Sequence, residues 1–134
     1  MIRFFGGRVM TLANGIETQD IEVWTEGSKI VFVGKPKAEE LDGKVFEREY
    51  DLKGNLLMPS FKNAHTHSAM TFLRSYADDM PLQDWLFKQI FPMEAKLDGE
   101  KVYWLTKLAI LEYLTTGCTA AFDMYFELDD YVKA

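Results

Sequence analysis

The hydrophobic period of this chain changes once, at Leu56, and that change dictates the order in which strands and helices can be laid down. Before Leu56 the pattern is one of short strands and turns. Ile2 to Leu12 reads as strand, broken by Gly6-Gly7 and followed by a turn at Asn14-Gly15. Asp20 to Thr25 alternates, which places Ile21 and Val23 on one face. Glu26-Gly27-Ser28 is a turn signal, and Lys29 to Val33 returns as an apolar strand ending at Gly34, so the pair predicts a hairpin. Lys35 to Lys44 is polar and reads as loop. Val45 to Leu52 is a further strand, closed by the turn Lys53-Gly54-Asn55. No stretch of this block shows helical period.

Beyond Leu56 strands and helices alternate. Leu56-Leu57-Met58-Pro59 leads into a short strand from Phe61 to His67. A helix is predicted from about Pro81 to Phe91, with Leu82, Trp85, Leu86 and Ile90 at helical spacing. Asp78 or Asp79 offers an N-cap, Pro81 suits the first turn, and Pro92 ends or kinks the helix. A second helix is predicted over Gly99 to Thr116, with Asp98 as N-cap and Gly117 as the glycine after its end. Its apolar face is Val102, Leu105, Leu108, Ala109 and Leu111. Thr119 to Met124 is a strand, and Leu128 to Ala134 begins a helix. Strand, helices, strand and helix start imply βαβ units and a parallel sheet, hence an α/β chain.

Composition excludes some roles. Of 134 residues, 48% are hydrophobic, which is the make-up of a folded core rather than a disordered segment. A net charge of −6 argues against duplex nucleic acid as a partner and disfavours anionic membranes. Cys118 is the only cysteine, so neither an intrachain disulfide nor a thiolate metal cluster is available. It reads as a small buried side chain. No apolar run approaches the roughly 20 residues that span a bilayer, and Met1 to Gly7 has no signal-peptide core. The expected location is cytoplasmic.

His65 and His67 are the only histidines. On a strand, residues i and i+2 share a face, so both rings can reach one cation while Thr66 points the other way, toward the helices. The pair sits at the C-terminal end of its strand, where (β/α) barrels place their chemistry. Two surface histidines produce the same spacing by chance, and a catalytic zinc site needs three protein ligands and an open position. No other histidine is present to complete one.

The segment around the pair narrows the reading. Leu57-Met58-Pro59-Ser60-Phe61-Lys62-Asn63-Ala64-His65-Thr66-His67 resembles the amidohydrolase superfamily signature, in which the entering strand reads roughly M-P-G-F-[VI]-[ND]-x-H-x-H. Ser60 stands where Gly is usual and Lys62 where an apolar residue is usual; neither is a ligand position. Ser68 to Asp79, Pro81 to Leu86 and Phe91 to Leu97 are similar to the deaminase and chlorohydrolase branch. Within it they look most like the 5′-methylthioadenosine/S-adenosylhomocysteine deaminase group, as does Asp123-Met124-Tyr125-Phe126. The Arg/Glu/Pro-containing segment of hydantoinases and dihydroorotases is not found.

That resemblance implies a fold: the N-terminal part of a metal-dependent hydrolase (β/α)₈ TIM barrel, preceded by strands of a small β-sandwich. Residues 1–57 would belong to the sandwich and 58–134 to the first βα elements of the barrel. A complete barrel takes about 250 residues, so the barrel would be incomplete here. It implies one divalent metal, Zn²⁺ first and Fe²⁺, Mn²⁺ or Ni²⁺ as alternatives, held in part by His65 and His67. The implied chemistry is hydrolytic deamination of an adenosine-type nucleoside, with chlorohydrolase or guanine/cytosine deaminase as alternatives, or a non-catalytic truncated chain. The partners expected are a small-molecule substrate and, in a homo-oligomer, a second copy of the chain.

Glu94 falls where the family hydrogen-bonds ribose hydroxyls; a carboxylate accepts from both hydroxyls of a diol. Its bland alternative is a solvated glutamate near a helix end. Trp85 would line the substrate pocket or simply pack its helix. Asp78-Asp79 reads as cap and surface charge, Asp123 as a strand-end acceptor, and Tyr125 and Phe126 lie near the same end. The proton carriers and remaining ligands of the family fall on later strands, so no catalytic residue is expected within these 134, and the chain alone is expected to be inactive.

Overall fold

The computed structural model describes residues 1–13, 15–125 and 128–134, with the side chains of 128 and 131 also set aside. It divides into two compact units, Met1–Pro59 and Ser60–Ala134, against an expected division after residue 57.

The first unit is built of two small sheets. One has the order β5-β4-β1-β6, from β1 (Ile2–Phe5), β4 (Glu22–Glu26), β5 (Lys29–Gly34) and β6 (Arg48–Asp51). The other has the order β3-β2-β7, from β2 (Arg8–Thr11), β3 (Glu17–Gln19) and β7 (Leu56–Leu57). The hairpin β4–β5 forms as the turn signal predicts, with a register shift between Trp24 and Thr25. Gly6-Gly7 carries the chain from one sheet to the other. Gly6 has φ +70°, and a Cβ there would lie 2.3 Å from Asp51 Oδ1. A Cβ at Gly7 would lie 2.4 Å from the Asn55 carbonyl oxygen. Only glycine admits so close a return of the chain.

Trp24, 3% exposed, anchors the larger sheet. It stacks on Phe32 at 4.1 Å and meets the edge of Phe46 at 5.2 Å. Its indole Nε1–H donates to Glu22, which also accepts from Arg3 at 2.6 Å and 2.7 Å. The Arg3 guanidinium lies over the Phe5 and Phe46 rings. Apolar side chains of both sheets, among them Phe4, Val9, Val23, Ile30 and Leu57, line one cavity of about 560 Å³.

Two local expectations for this unit are corrected, and one strand went unread. The polar stretch Lys35 to Lys44 holds a one-turn helix, α1 (Ala38–Leu41), whose start is held by Lys37 N–H donating to Glu40. Four residues are too few to show a period. The strand predicted from Val45 is only Arg48–Asp51, and Val45 is 81% exposed. The strand Glu17–Gln19 is all polar, so alternation could not reveal it. Asn14 of the predicted turn lies outside the described residues.

In the second unit β8 (Phe61–Thr66) and β9 (Cys118–Asp123) pair in parallel, as the alternation of strand and helix requires. Between them come a 3₁₀ segment Ser68–Leu73, α2 (Leu82–Asp84), a π-helical segment Trp85–Ile90, α3 (Phe91–Glu94) and α4 (Gly99–Thr115). A last helix, α5, covers Leu128–Lys133. Asp98 caps α4, its carboxylate accepting from Lys101 N–H at 3.0 Å, and Gly117 follows with φ +80°. Ala69, Leu73, Ile90, Val102 and Ala109 are buried, as is the Cys118 thiol, which donates to the Ala120 carbonyl.

Here too the sequence misled in places. Of the two alternatives at Pro92, an end or a kink, the end does not occur. The π segment widens the turn before it, with Phe91 N–H reaching back to Leu86 O, and the helix continues to Glu94. A proline lacks the N–H for a regular turn, and a π-bulge removes the need for it. Asp78 and Asp79 do not cap α2; Pro81 holds that position and both carboxylates are exposed. Leu108 and Leu111 are 46% and 59% exposed, so the buried face of α4 is Val102, Thr106 and Ala109. Among the described residues no helix is long and apolar enough to cross a membrane.

Candidate metal centre

β8 ends at Thr66, so His65 is the penultimate strand residue and His67 the first beyond it, with φ −133° and ψ 77°. Their rings stand 4.9 Å apart between centroids, nearly perpendicular at 85°. Two imidazoles bound to one tetrahedral ion at Zn–N of roughly 2.0–2.1 Å would have centroids about 5 Å apart. The centroid separation matches that of two rings on one ion, and His65 is exposed.

The end of β9 fixes the second ring. His67 Nδ1 lies 2.7 Å from the Met124 carbonyl oxygen. A carbonyl only accepts, so Nδ1 carries a proton in this bond, and the tautomer it selects has its lone pair on Nε2. That is the second-partner arrangement of metal-bound histidines. Met124 N–H in turn donates to Thr66 O at 3.0 Å, and Met70 N–H to His67 O at 2.9 Å. Asp123 accepts from Ser68 N–H at 3.1 Å, a strand-end role as its position suggests.

Thr66 points toward α4, where its Oγ1 is 2.6 Å from Tyr113 OH. The same phenol lies 2.7 Å from Ser68 Oγ, and Ser68 is 2% exposed. A cavity of about 290 Å³ lies beside them, lined by His67 as well as Thr66, Ser68, Thr71, Tyr113 and Arg74 among others. Arg74 makes a two-pronged ion pair with Glu112. That pairing raises the arginine pKa and lowers the glutamate's. Neither His65, Trp85 nor Glu94 lines this cavity.

Of the residues singled out in the sequence, the two histidines are brought together. Trp85, half-buried, opens the π segment, and Glu94, half-buried, ends α3. Tyr125 follows β9 and is half-buried. Phe126 lies outside the described residues. Lys62, unusual for the motif, is exposed; its ammonium donates to Ser60 and Thr119 hydroxyls at 3.0 Å and 3.2 Å. Polar company of that kind explains how the strand tolerates a cation there. Among the described residues no group of three or more His, Cys, Asp and Glu side chains is placed to hold an ion. Sequence reading missed Tyr113. Its helical position gave no sign, because its partners are 45 and 47 residues away.

Residues 56–134 match the amidohydrolase family. A 5-methylthioadenosine/S-adenosylhomocysteine deaminase of Syntrophomonas wolfei is 50% identical over 96 residues, covering 69% of this chain and 22% of that protein. A 5′-deoxyadenosine deaminase of Methanospirillum hungatei is 56% identical over 84 residues, covering 63% of this chain and 19% of that one. A crystal structure of an adenosine deaminase from Xanthomonas campestris with bound zinc superposes with a TM-score of 0.89 at 34% identity, over 98% of this chain and 30% of that chain. The chain therefore spans 19% to 30% of the length of these proteins. The match runs over both histidines and both parallel strands, and the chain belongs to the amidohydrolase family.

Proposed function

We propose that these residues supply the first half of the metal centre of a hydrolytic deaminase acting on an adenosine-type nucleoside: methylthioadenosine, S-adenosylhomocysteine or adenosine. The observation that carries this reading is His67, its Nδ1 proton tied to Met124 O and its Nε2 left for a ligand, with the His65 ring 4.9 Å away. The names of the deaminases similar to it support the reaction, and the zinc of the Xanthomonas campestris structure supports Zn²⁺ as the ion.

In this reading a divalent ion, when bound, supplies a water whose pKa is lowered toward roughly 7, a nucleophile for the ring carbon that bears the amino group. The chain's own residues do the holding. His65 and His67 bind through ring nitrogens. Met124 O keeps a proton of His67 on Nδ1, which leaves Nε2 as the nitrogen to face the ion. Glu94 takes the ribose hydroxyls and Trp85 covers the base or its 5′ substituent. With two donors of its own, the chain by itself holds the ion without turning substrate over.

A deaminase assay over the three nucleosides, with metal analysis, on the protein carrying this sequence tests the reading. Glu94→Ala is expected to raise KM for nucleosides far more than for free adenine. Equal loss for both would remove the ribose role, and a metal-free protein with full activity would remove the metal.

A further inference from the structure

We infer that Tyr113 is a positioning residue for His67, acting through the two residues that flank it; this rests on the metal-ligand reading above. His67 stands one residue past the end of β8. The strand ladder no longer holds it there. The residues on either side of His67 are Thr66, the last of the strand, and Ser68, the first of the 3₁₀ segment. Both side chains converge on one atom: Tyr113 OH is 2.6 Å from Thr66 Oγ1 and 2.7 Å from Ser68 Oγ.

A phenol has one proton to give. At least one of the two hydroxyls must therefore donate to it, and Thr66, Tyr113 and Ser68 form a connected group of three hydroxyls. Ser68, 2% exposed, has no water to replace these partners, and its N–H is already given to Asp123. The peptide segment 66–68 is thereby pinned from α4 on one side and from the end of β9 on the other. What remains free is the rotation of the His67 ring, and Met124 O removes that. Tyr113 stands on α4, 45 residues on from Ser68. Its role is to keep the Nδ1–Met124 bond in register and hence to keep Nε2 aimed beside His65.

The test uses Tyr113→Phe, Thr66→Val and Thr66→Ser in the full chain, with circular dichroism confirming the fold. Zn²⁺ affinity is read by competition with a chromophoric chelator. Tyr113→Phe and Thr66→Val are each expected to weaken Zn²⁺ about tenfold, the low end for outer partners of a metal site. Combined, they should weaken it no further, while Thr66→Ser keeps its hydroxyl and the parent affinity. A second readout needs no metal: the slowly exchanging Nδ1 proton of His67 in imidazole NMR, expected in the parent and lost in Tyr113→Phe. Parent affinity and a retained Nδ1 proton in Tyr113→Phe would overturn the inference while leaving the histidines as ligands. No Zn²⁺ binding that depends on His65 and His67 would overturn the metal reading, and the proton signal would then decide the role of Tyr113 by itself. Should Tyr113→Phe unfold, the contrast of Thr66→Val with Thr66→Ser decides; equal behaviour of those two overturns the inference.

Discussion

His67 Nδ1 and the Met124 carbonyl oxygen are 2.7 Å apart, so the end of one parallel strand sets the proton of a histidine at the end of the other. The acceptor is backbone, which makes the relationship insensitive to the Met124 side chain, 62% exposed. Met124→Leu should therefore leave Zn²⁺ affinity unchanged and shift stability by no more than ~0.5 kcal/mol, as surface changes do. His65→Ala and His67→Ala should each cost more than the ~10–100-fold that loss of an outer partner brings. Titration calorimetry of the three variants checks this. A Met124→Leu loss as large as that of His67→Ala would show that the side chain, not the carbonyl, matters.

In the first unit Trp24 is buried against Phe32 and Phe46 and its indole N–H is satisfied by Glu22. Trp24→Ala removes the largest side chain in this core and orphans a carboxylate lone pair. Truncations of this kind cost about 3–5 kcal/mol. Urea unfolding should show the midpoint falling sharply for this variant and little for Val45→Ala, whose side chain is 81% exposed. A Trp24→Ala chain as stable as the parent would mean the sheet is held elsewhere.

How much was legible beforehand follows from the range of each signal. The hairpin β4–β5, the cap at Asp98 and the turn glycine Gly117 were readable because each depends on residues a few positions apart. The histidine pair was readable as a pair for the same reason. Its strongest support was not. Met124 is 57 residues from His67 and Tyr113 is 45 from Ser68, and no local pattern announces a contact over that separation. The exposure of Leu108 and Leu111 shows the same limit from the other side: helical spacing says which residues share a face, not what covers it.

Pro92 offers a test of local strain. In a regular helix interior a proline costs about 3 kcal/mol relative to alanine. Here the π segment Trp85–Ile90 has already absorbed the missing N–H, and Phe91 donates to Leu86 instead. Pro92→Ala should therefore change stability by less than ~1 kcal/mol, a small part of that figure. Chemical denaturation measures it. A gain near the full value would show that the proline strains the helix despite the wider turn.

Glu22 sets the acid limb of the first unit's stability. Its side chain is 15% exposed, and the hydrogen bonds from Arg3 hold its carboxyl below the ordinary value of 4.5, with Trp24 adding to the effect and burial opposing it. A carboxyl lowered in the folded state contributes stability that is complete above the unfolded value. As pH falls past about 4.5 the unfolded chain takes up the proton first, and the contribution drains away until the folded carboxyl is protonated too. Arg3 stays charged throughout, so the loss belongs to the carboxylate alone. Glu22→Gln keeps the shape and an acceptor oxygen but cannot ionise. It should be less stable than the parent at neutral pH and should lose part of the parent's decline below pH 4.5. Denaturant midpoints measured from neutral pH down through the acid limb provide the comparison, and two curves that run parallel through it would assign the acid sensitivity to other carboxylates.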